Sequence, residues 1–257
     1  MLSDVTALVT GASQGIGREI ARRFAAYGAN VALAARSDGI YETEQLIDAP
    51  DRTLAVETDV TDESSVERTV AETVEEFDGL DCVVNNAGIA GPTAPIEEVS
   101  LEEWQRTLDV NITGMFLTTK HAVGALEDSD QPRVINISSI SGKRPLPDRT
   151  PYVASKMAVV GLTRTLAFEL SDVGATVNTI CPGATAGPRI EDVIEAQAQR
   201  RDVSYEAAKA EVFTDETALG TLVEAEDTAE VAAFLASEKG RHITAQDINV
   251  DAGTVWY

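Results

Sequence analysis

The stretch Tyr152–Lys156 reads YVASK and sets a phenol and an amine four residues apart. On a helix that spacing puts both side chains on one face. An ammonium held beside a phenol favours the phenolate, so Lys156 is expected to make Tyr152 more acidic. Such a tyrosine can exchange a proton with a substrate oxygen near neutrality. Ser139 lies just past the apolar run Val134–Ser138, where its hydroxyl could polarise the same oxygen. The chemistry these residues point to is proton transfer at an alcohol or a carbonyl.

A second stretch bears on the co-reactant. Thr10–Phe24 reads TGASQGIGREIARRF, a glycine-spaced turn that runs into a helix with Ile16, Ile20 and Phe24 at i, i+4 and i+8. Glycines here let the backbone approach a pyrophosphate, and the helix N-terminus offers N–H donors and a positive dipole end. No Gly-Lys-Ser/Thr follows, which argues against an NTP-hydrolysing loop. Gly11, Ser13, Gln14, Gly15, Ile16 and Gly17 are therefore the candidate contacts to a dinucleotide. The second β-like run ends VALAARSDG, where a dinucleotide fold brings a residue to the adenosine ribose. An acidic group there binds the two hydroxyls of NAD, and an arginine accommodates the 2′-phosphate of NADP. Arg36 and Ser37 stand at that point, so NADP is the expected cofactor and NAD the alternative.

Regular elements must carry these residues. Strand candidates are Thr6–Thr10, Val31–Ala35, Thr53–Glu57, Cys82–Asn85, Val134–Ser138, Thr176–Cys181 and Asp247–Val250. Helical stretches alternate with them at Ile16–Tyr27, Glu63–Phe77, Leu101–Leu126, Tyr152–Ser171 and Thr228–Ser237, with Gly28 ending the first. Strands apolar on both faces and separated by helices imply a parallel sheet covered on both sides. The expected fold is α/β: a single doubly wound (Rossmann) domain over residues 1–257, with a seven-stranded parallel sheet and helices on both faces. Pro188–Leu222 interrupts the alternation and reads as a substrate lid or an interface element.

Composition narrows the partners. A net charge of −23 repels nucleic acid and anionic membranes, so neither is expected as a partner. Basic residues are 15 Arg against 5 Lys, and with so many carboxylates this favours a halophilic protein of a saline cytoplasm. No apolar run of about 18 residues and no basic leader with a cleavage site are present, which points to a cytoplasmic location. Cys82 and Cys181 lie in apolar runs, as buried reduced thiols would. His121 and His242 have no metal-ligand spacing, and no metal is expected.

Further along come NNAG (Asn85–Gly88), NIT (Asn111–Thr113), INISSISG (Ile135–Gly142) and CPG (Cys181–Gly183). Together with TGASQGIG and YVASK, in this order and at these spacings, the chain resembles the short-chain dehydrogenase/reductase family over nearly its whole length. The resemblance implies Tyr152 as acid/base, Ser139 as substrate-positioning donor and Lys156 as a further grip on the nicotinamide ribose. It implies that Asn111 holds a water linking Lys156 to solvent, completing a tetrad. It also implies Asp59 and Val60 at the adenine, Asn86, Ala87 and Gly88 along the adenine-ribose side, and Pro182, Gly183 and Thr185 beside the nicotinamide. A homotetramer is the implied assembly, and Trp104 is implied to pack the long helix.

Three positions depart from the family pattern. Gly187 stands where many members have Thr, and Gln14 where NADP-preferring relatives often carry Arg or Lys. The tail VDAGTVWY brings Trp256 and Tyr257 to the end, where a neighbouring subunit could meet them. Substrate choice is expected in Ile89–Ile96, Ser141–Arg149 and Pro188–Leu222, with Lys143, Arg144 and Arg149 able to attract an anion. The implied activity is hydride transfer between NADP(H) and a small polar carbonyl or secondary alcohol: a 3-oxoacyl thioester, sugar, sugar-derived keto acid or polyol. The alternative is a non-catalytic dinucleotide sensor, although such proteins typically lose the Tyr or the Lys.

Overall fold

Seven runs become strands: β1 (Thr6–Thr10), β2 (Asn30–Ala35), β3 (Thr53–Glu57), β4 (Cys82–Asn85), β5 (Arg133–Ile137), β6 (Thr176–Pro182) and β7 (Asp247–Val250). They form one sheet in the order β3-β2-β1-β4-β5-β6-β7, and every neighbouring pair is parallel. The structure is a computed structural model. It describes the backbone of residues 1–257 and every side chain except those of Pro188, Arg189, Ala196, Arg200, Val212 and Phe213.

β1 shows why a parallel sheet forms. All five of its residues are buried. Ala7 and Val9 face a cluster with Ile20 and Phe24 of α1 (Gly15–Ala26) and Ala229, Ala232 and Ala233 of α9 (Ala225–Ala236). Leu8 faces the opposite cluster, with Val70 of α3 (Glu63–Phe77), Leu126 of α5 (Gly114–Glu127) and Ala167 of α6 (Thr150–Glu169). The period-2 alternation of a strand thus feeds two cores. The strand order reverses between β1 and β4, and ligands of such sheets sit at this switch point beyond the strands' C-terminal ends.

One expectation needs correction. The run Leu101–Leu126 is not one α-helix: α4 (Leu101–Leu108) and α5 are joined by a π-turn at Asp109–Thr113, with Gly114 N–H donating to the Asp109 carbonyl. The wider turn rotates Asn111 into the interior, where it is fully buried. A further helix of nine residues, α2 (Gly39–Ile47), lies between β2 and β3, with only Ile40 and Thr43 buried. Within Pro188–Leu222 the chain forms α7 (Pro188–Arg201) and α8 (Tyr205–Lys209), then a second π-turn, Ala210–Thr214. Ile194, Ala198 and Ala208 give this excursion a small core of its own. Among the described residues no helix is long and apolar enough to cross a membrane. Cys82 and Cys181 are free and buried, and burial pushes their thiols up to about 12 and about 11.

Candidate active site

The glycine loop is held from below by the end of β4. Thr10 Oγ1 accepts from the N–H groups of Asn86 (3.0 Å) and Ala87 (3.1 Å), and Asn86 Nδ2 donates to the carbonyls of Thr10 (2.9 Å) and Gly11 (3.2 Å). Gly11 has φ +66, and a Cβ there would lie 2.8 Å from Asn86 Nδ2. A Cβ on Gly17 would collide with that amide and with the Gly11 carbonyl. These two glycines therefore serve the packing of the chain on itself. Gly15 differs: at φ +57 its missing Cβ would meet nothing within 4 Å, so the space over the loop is open. Gln14 is the extended N-cap residue of α1 and makes no side-chain cap bond. The first N–H groups of α1 then face that space without a capping side chain, which fits an anionic diphosphate. Arg18 braces the loop from behind, donating to the Ser13 carbonyl (2.5 Å) and Thr43 Oγ1 (3.0 Å) and pairing with Glu42 (2.8 Å).

Arg36 and Ser37, expected at the adenosine ribose, are exposed past β2. The Arg36 guanidinium lies 3.5 Å from Asp59 Oδ2. Partial burial works to raise the Asp59 carboxyl, but hydrogen bonds from Thr61 and the Arg36 charge outweigh it and hold it below its usual value. Both residues are expected at the nucleotide; the geometry brings them together and lets each compensate the other. Val60 is buried under Gly114, where a Cβ would come within 2.8 Å of Val60 Cγ2. It spaces the end of β3 from α5.

Tyr152 and Lys156 lie on the first two turns of α6, which Pro151 helps to start. Lys156 Nζ is 5.8 Å from the centre of the Tyr152 ring and donates to the Ile137 carbonyl at 2.9 Å. The side chain of Lys156 is buried. Ser138 Oγ donates to the Lys156 carbonyl at 2.6 Å, and a Cβ on Gly142 would press on the same carbonyl group at 2.8 Å. The turn Ile140–Gly142 is thus laid flat against α6. Ser139 is the N-cap of that turn; its buried Oγ accepts from Ser141 N–H at 3.0 Å, which leaves its own proton to donate.

Asn111 brackets a neighbouring backbone segment. Its Nδ2 donates to the Ile89 carbonyl (3.0 Å) and to Ser155 Oγ (3.0 Å), and its Oδ1 accepts from Ile89 N–H (2.8 Å). A Cβ on Gly88 would lie 3.3 Å from Asn111 Oδ1 and 3.5 Å from Lys156 Nζ, so Gly88 is the narrow point between the two. Arg149 also lies near Tyr152, with Cζ 5.2 Å from the ring centre and bonds to the Ala90 carbonyl (2.7 Å) and Thr93 Oγ1 (3.2 Å). The other two basic residues of that segment turn elsewhere: Lys143 to Asp247 (2.6 Å) and Arg144 to Glu216 (2.6 Å).

At the far end, Gly183 lets β6 pass β7 closely, since a Cβ there would be 2.8 Å from Asp251 Cα. Pro182 is buried at the strand end. Thr185 bonds the Gly183 carbonyl (3.2 Å) and pairs with Val223 in a short parallel bridge. Gly187 has φ +136, a conformation in which a threonine would be strained. Sequence reasoning missed the supporting roles of Thr10, Arg18, Ser138 and Ser155; all four lie inside the motifs TGASQGIGREIARRF, INISSISG and YVASK, but most of their partners lie on other elements.

A family model described as Enoyl-(Acyl carrier protein) reductase matches residues 11–255. D-beta-hydroxybutyrate dehydrogenase of Cupriavidus necator is 34% identical over 257 residues, covering 99% of both chains. 3beta-hydroxysteroid dehydrogenase 1 of Eggerthella lenta is 38% identical over 260 residues, covering 100% of this chain and 95% of that one. A crystal structure of a variant of actinorhodin polyketide ketoreductase with NADPH superposes with a TM-score of 0.93 at 34% identity, covering 100% of this chain and 99% of that one. The fold, the order of motifs and these relatives agree, and the chain belongs to the short-chain dehydrogenase/reductase family, as an oxidoreductase acting on CH–OH and C=O groups.

Proposed function

We infer that the chain catalyses NADP(H)-dependent interconversion of a short hydroxy acid and its keto acid. The observation that carries this reading is the nearness of Tyr152 to two cations, Lys156 at 5.8 Å and Arg149 at 5.2 Å from its ring centre. A nicotinamide dinucleotide held by the glycine loop, Arg36 and Lys156 would supply or accept the hydride at the substrate carbon. Tyr152 gives a proton to, or takes it from, the substrate oxygen. Lys156 stabilises the phenolate and holds the nicotinamide ribose. Ser139 donates a hydrogen bond to the same oxygen, and Asn111 supports a relay water leading from Lys156.

Among the candidate substrates, Arg149 favours an anion. What sets Arg149 apart is position: Lys143 and Arg144 reach Asp247 and Glu216, and Arg149 Cζ lies 5.2 Å from the centre of the Tyr152 ring. Similarity to a D-beta-hydroxybutyrate dehydrogenase supports the same class. Arg36 supports NADP over NAD; because it shares its charge with Asp59, NAD remains the secondary cofactor. The segment Pro188–Leu222 is read as the lid, and exposed Phe116, Met157 and Phe168 on α5 and α6 support a homotetramer. The acidic surface supports a saline cytoplasm as the setting.

The test is a panel of hydroxy acids, sugars and polyols with NADP⁺ and NAD⁺, at low and molar KCl. Arg149→Met is expected to raise KM for acids by about tenfold or more, the loss of one charged hydrogen bond, and to leave neutral substrates within about twofold. Equal effects on both classes would remove Arg149 from substrate choice.

A further inference from the structure

The turn that carries Ser139 is too short to hold itself. Inside it, Gly142 N–H reaches the Ser139 carbonyl (3.0 Å), and Lys143 N–H reaches the Ile140 carbonyl (2.8 Å). A single 3₁₀ turn of this kind depends on its surroundings. One side is supplied by α6 through Ser138 and Gly142, as above. The other side is supplied by the last residues of the chain. Ile140 is buried with Cys181 and Val255 in a small cluster apart from the main cores. Val255 is set there because the Asp251 carboxylate accepts from Gly253 N–H (3.0 Å) and Val255 N–H (2.7 Å), coiling the tail.

Lys143 then ties the turn to the terminus. Its side chain is only 7% exposed, and its Nζ reaches Asp247 Oδ2 (2.6 Å). It also reaches the Asp247 carbonyl (3.0 Å), Asn249 Oδ1 (2.6 Å) and the Tyr257 oxygen (3.4 Å). Tyr257 Oη in turn donates to the Lys143 carbonyl at 3.1 Å, and Asn249 Nδ2 donates to the Val255 carbonyl at 3.0 Å. Tyr257 is 66% exposed, so what it adds is these bonds more than apolar burial. A buried ammonium is tolerated only with a full set of acceptors, which makes the tail part of one unit with the turn.

We propose that Asp251–Tyr257 is a strap that holds the Ser139 hydroxyl in register with Tyr152, with Lys143 and Tyr257 as positioning residues. The proposal rests on the reading that Ser139 orients the substrate oxygen. A small displacement of such a group is costly for turnover, so removing the strap lowers kcat while leaving dinucleotide affinity unchanged.

A double-mutant cycle tests this on the full chain, with the hydroxy acid oxidised fastest in a panel that includes 3-hydroxybutyrate. Tyr257→Ala is expected to lower kcat about tenfold and Tyr257→Phe about threefold, with NADP⁺ affinity within about twofold of the native value. In a Ser139→Ala background the same tail changes cost less than about twofold more, because the group they position is gone. Deletion of residues 255–257 extends the series, and the point substitutions stand if that variant does not fold. Native kcat in Tyr257→Ala would overturn the strap, as would an equal loss in the Ser139→Ala background. Native kcat in Ser139→Ala alone would instead overturn the reading of Ser139, and the strap with it.

Discussion

Tyr152 and Lys156 share a helix face, but the lysine is fixed by more than its spacing: its Nζ is anchored to the Ile137 carbonyl and its own carbonyl to Ser138. Lys156→Met is expected to lower kcat by about a hundredfold or more, the scale of lost acid–base assistance, as read by steady-state turnover. Arg36→Leu is expected to raise the NADP KM by about ten- to a hundredfold, the worth of a charged hydrogen bond, and to leave the NAD KM nearly unchanged. If native NAD efficiency exceeds NADP efficiency tenfold, the role given to Arg36 fails. Asp247 gives the pH-dependent case. Its carboxyl is held below its usual value: burial opposes this, and hydrogen bonds and charge from Lys143 and Arg164 outweigh burial. A depressed folded-state pKa contributes stability above the unfolded value of about 3.9, lost as pH falls through the folded value. Asp247→Asn should therefore lower the thermal midpoint at pH 7, and the gap to the native chain should close only below about pH 4. Tyr152, Lys156 and Ser139 were readable as candidates because residue type and spacing suggest their chemistry, whereas Asn111 entered only through the family resemblance. The destinations of Lys143 and Arg144 were not readable, since their partners lie 104 and 72 residues away and only the fold brings them near.

At the scale of elements, the seven strands were legible from apolar runs, with boundaries within a residue of those observed. What escaped was set by tertiary contact. α2 keeps only Ile40 and Thr43 buried, too few to make a period visible. The π-turn at Asp109–Thr113 exists to bury Asn111 against Ile89 and Ser155, which no local pattern signals. The helix ends carry a further feature. α3 and α7 close on Asp78 and Asp202, and α2 on Asp48, each left-handed with φ between 51 and 58. A carboxylate at a helix C-terminus opposes the dipole by about 0.3–1 kcal/mol, and salt screens it. Asp78→Asn, which keeps a residue tolerant of that conformation, should stabilise the chain by about that amount in dilute buffer. The gain should shrink toward zero in molar KCl, as followed by thermal unfolding at both salts.

The whole molecule carries −23, and this shapes how every other measurement is made. Self-repulsion of that size opens the compact state at low ionic strength, so the unfolding midpoint should climb steeply between about 0.05 and 1 M KCl. A flat salt response would contradict the reading of a chain suited to a saline interior. At this scale the sheet brings residues from β1, β4, β5 and α6 to one edge, where the glycine loop, Gly88, Ser139 and Tyr152 converge at the switch point. The central claim is that Tyr152 handles the proton there. Its most direct test is single-turnover oxidation of the preferred hydroxy acid at saturating NADP⁺ in molar KCl, native chain against Tyr152→Phe. The variant should bind NADP⁺ within about twofold of the native chain and transfer hydride about 10²- to 10⁴-fold more slowly. A variant that binds NADP⁺ and turns over at the native rate would contradict the account.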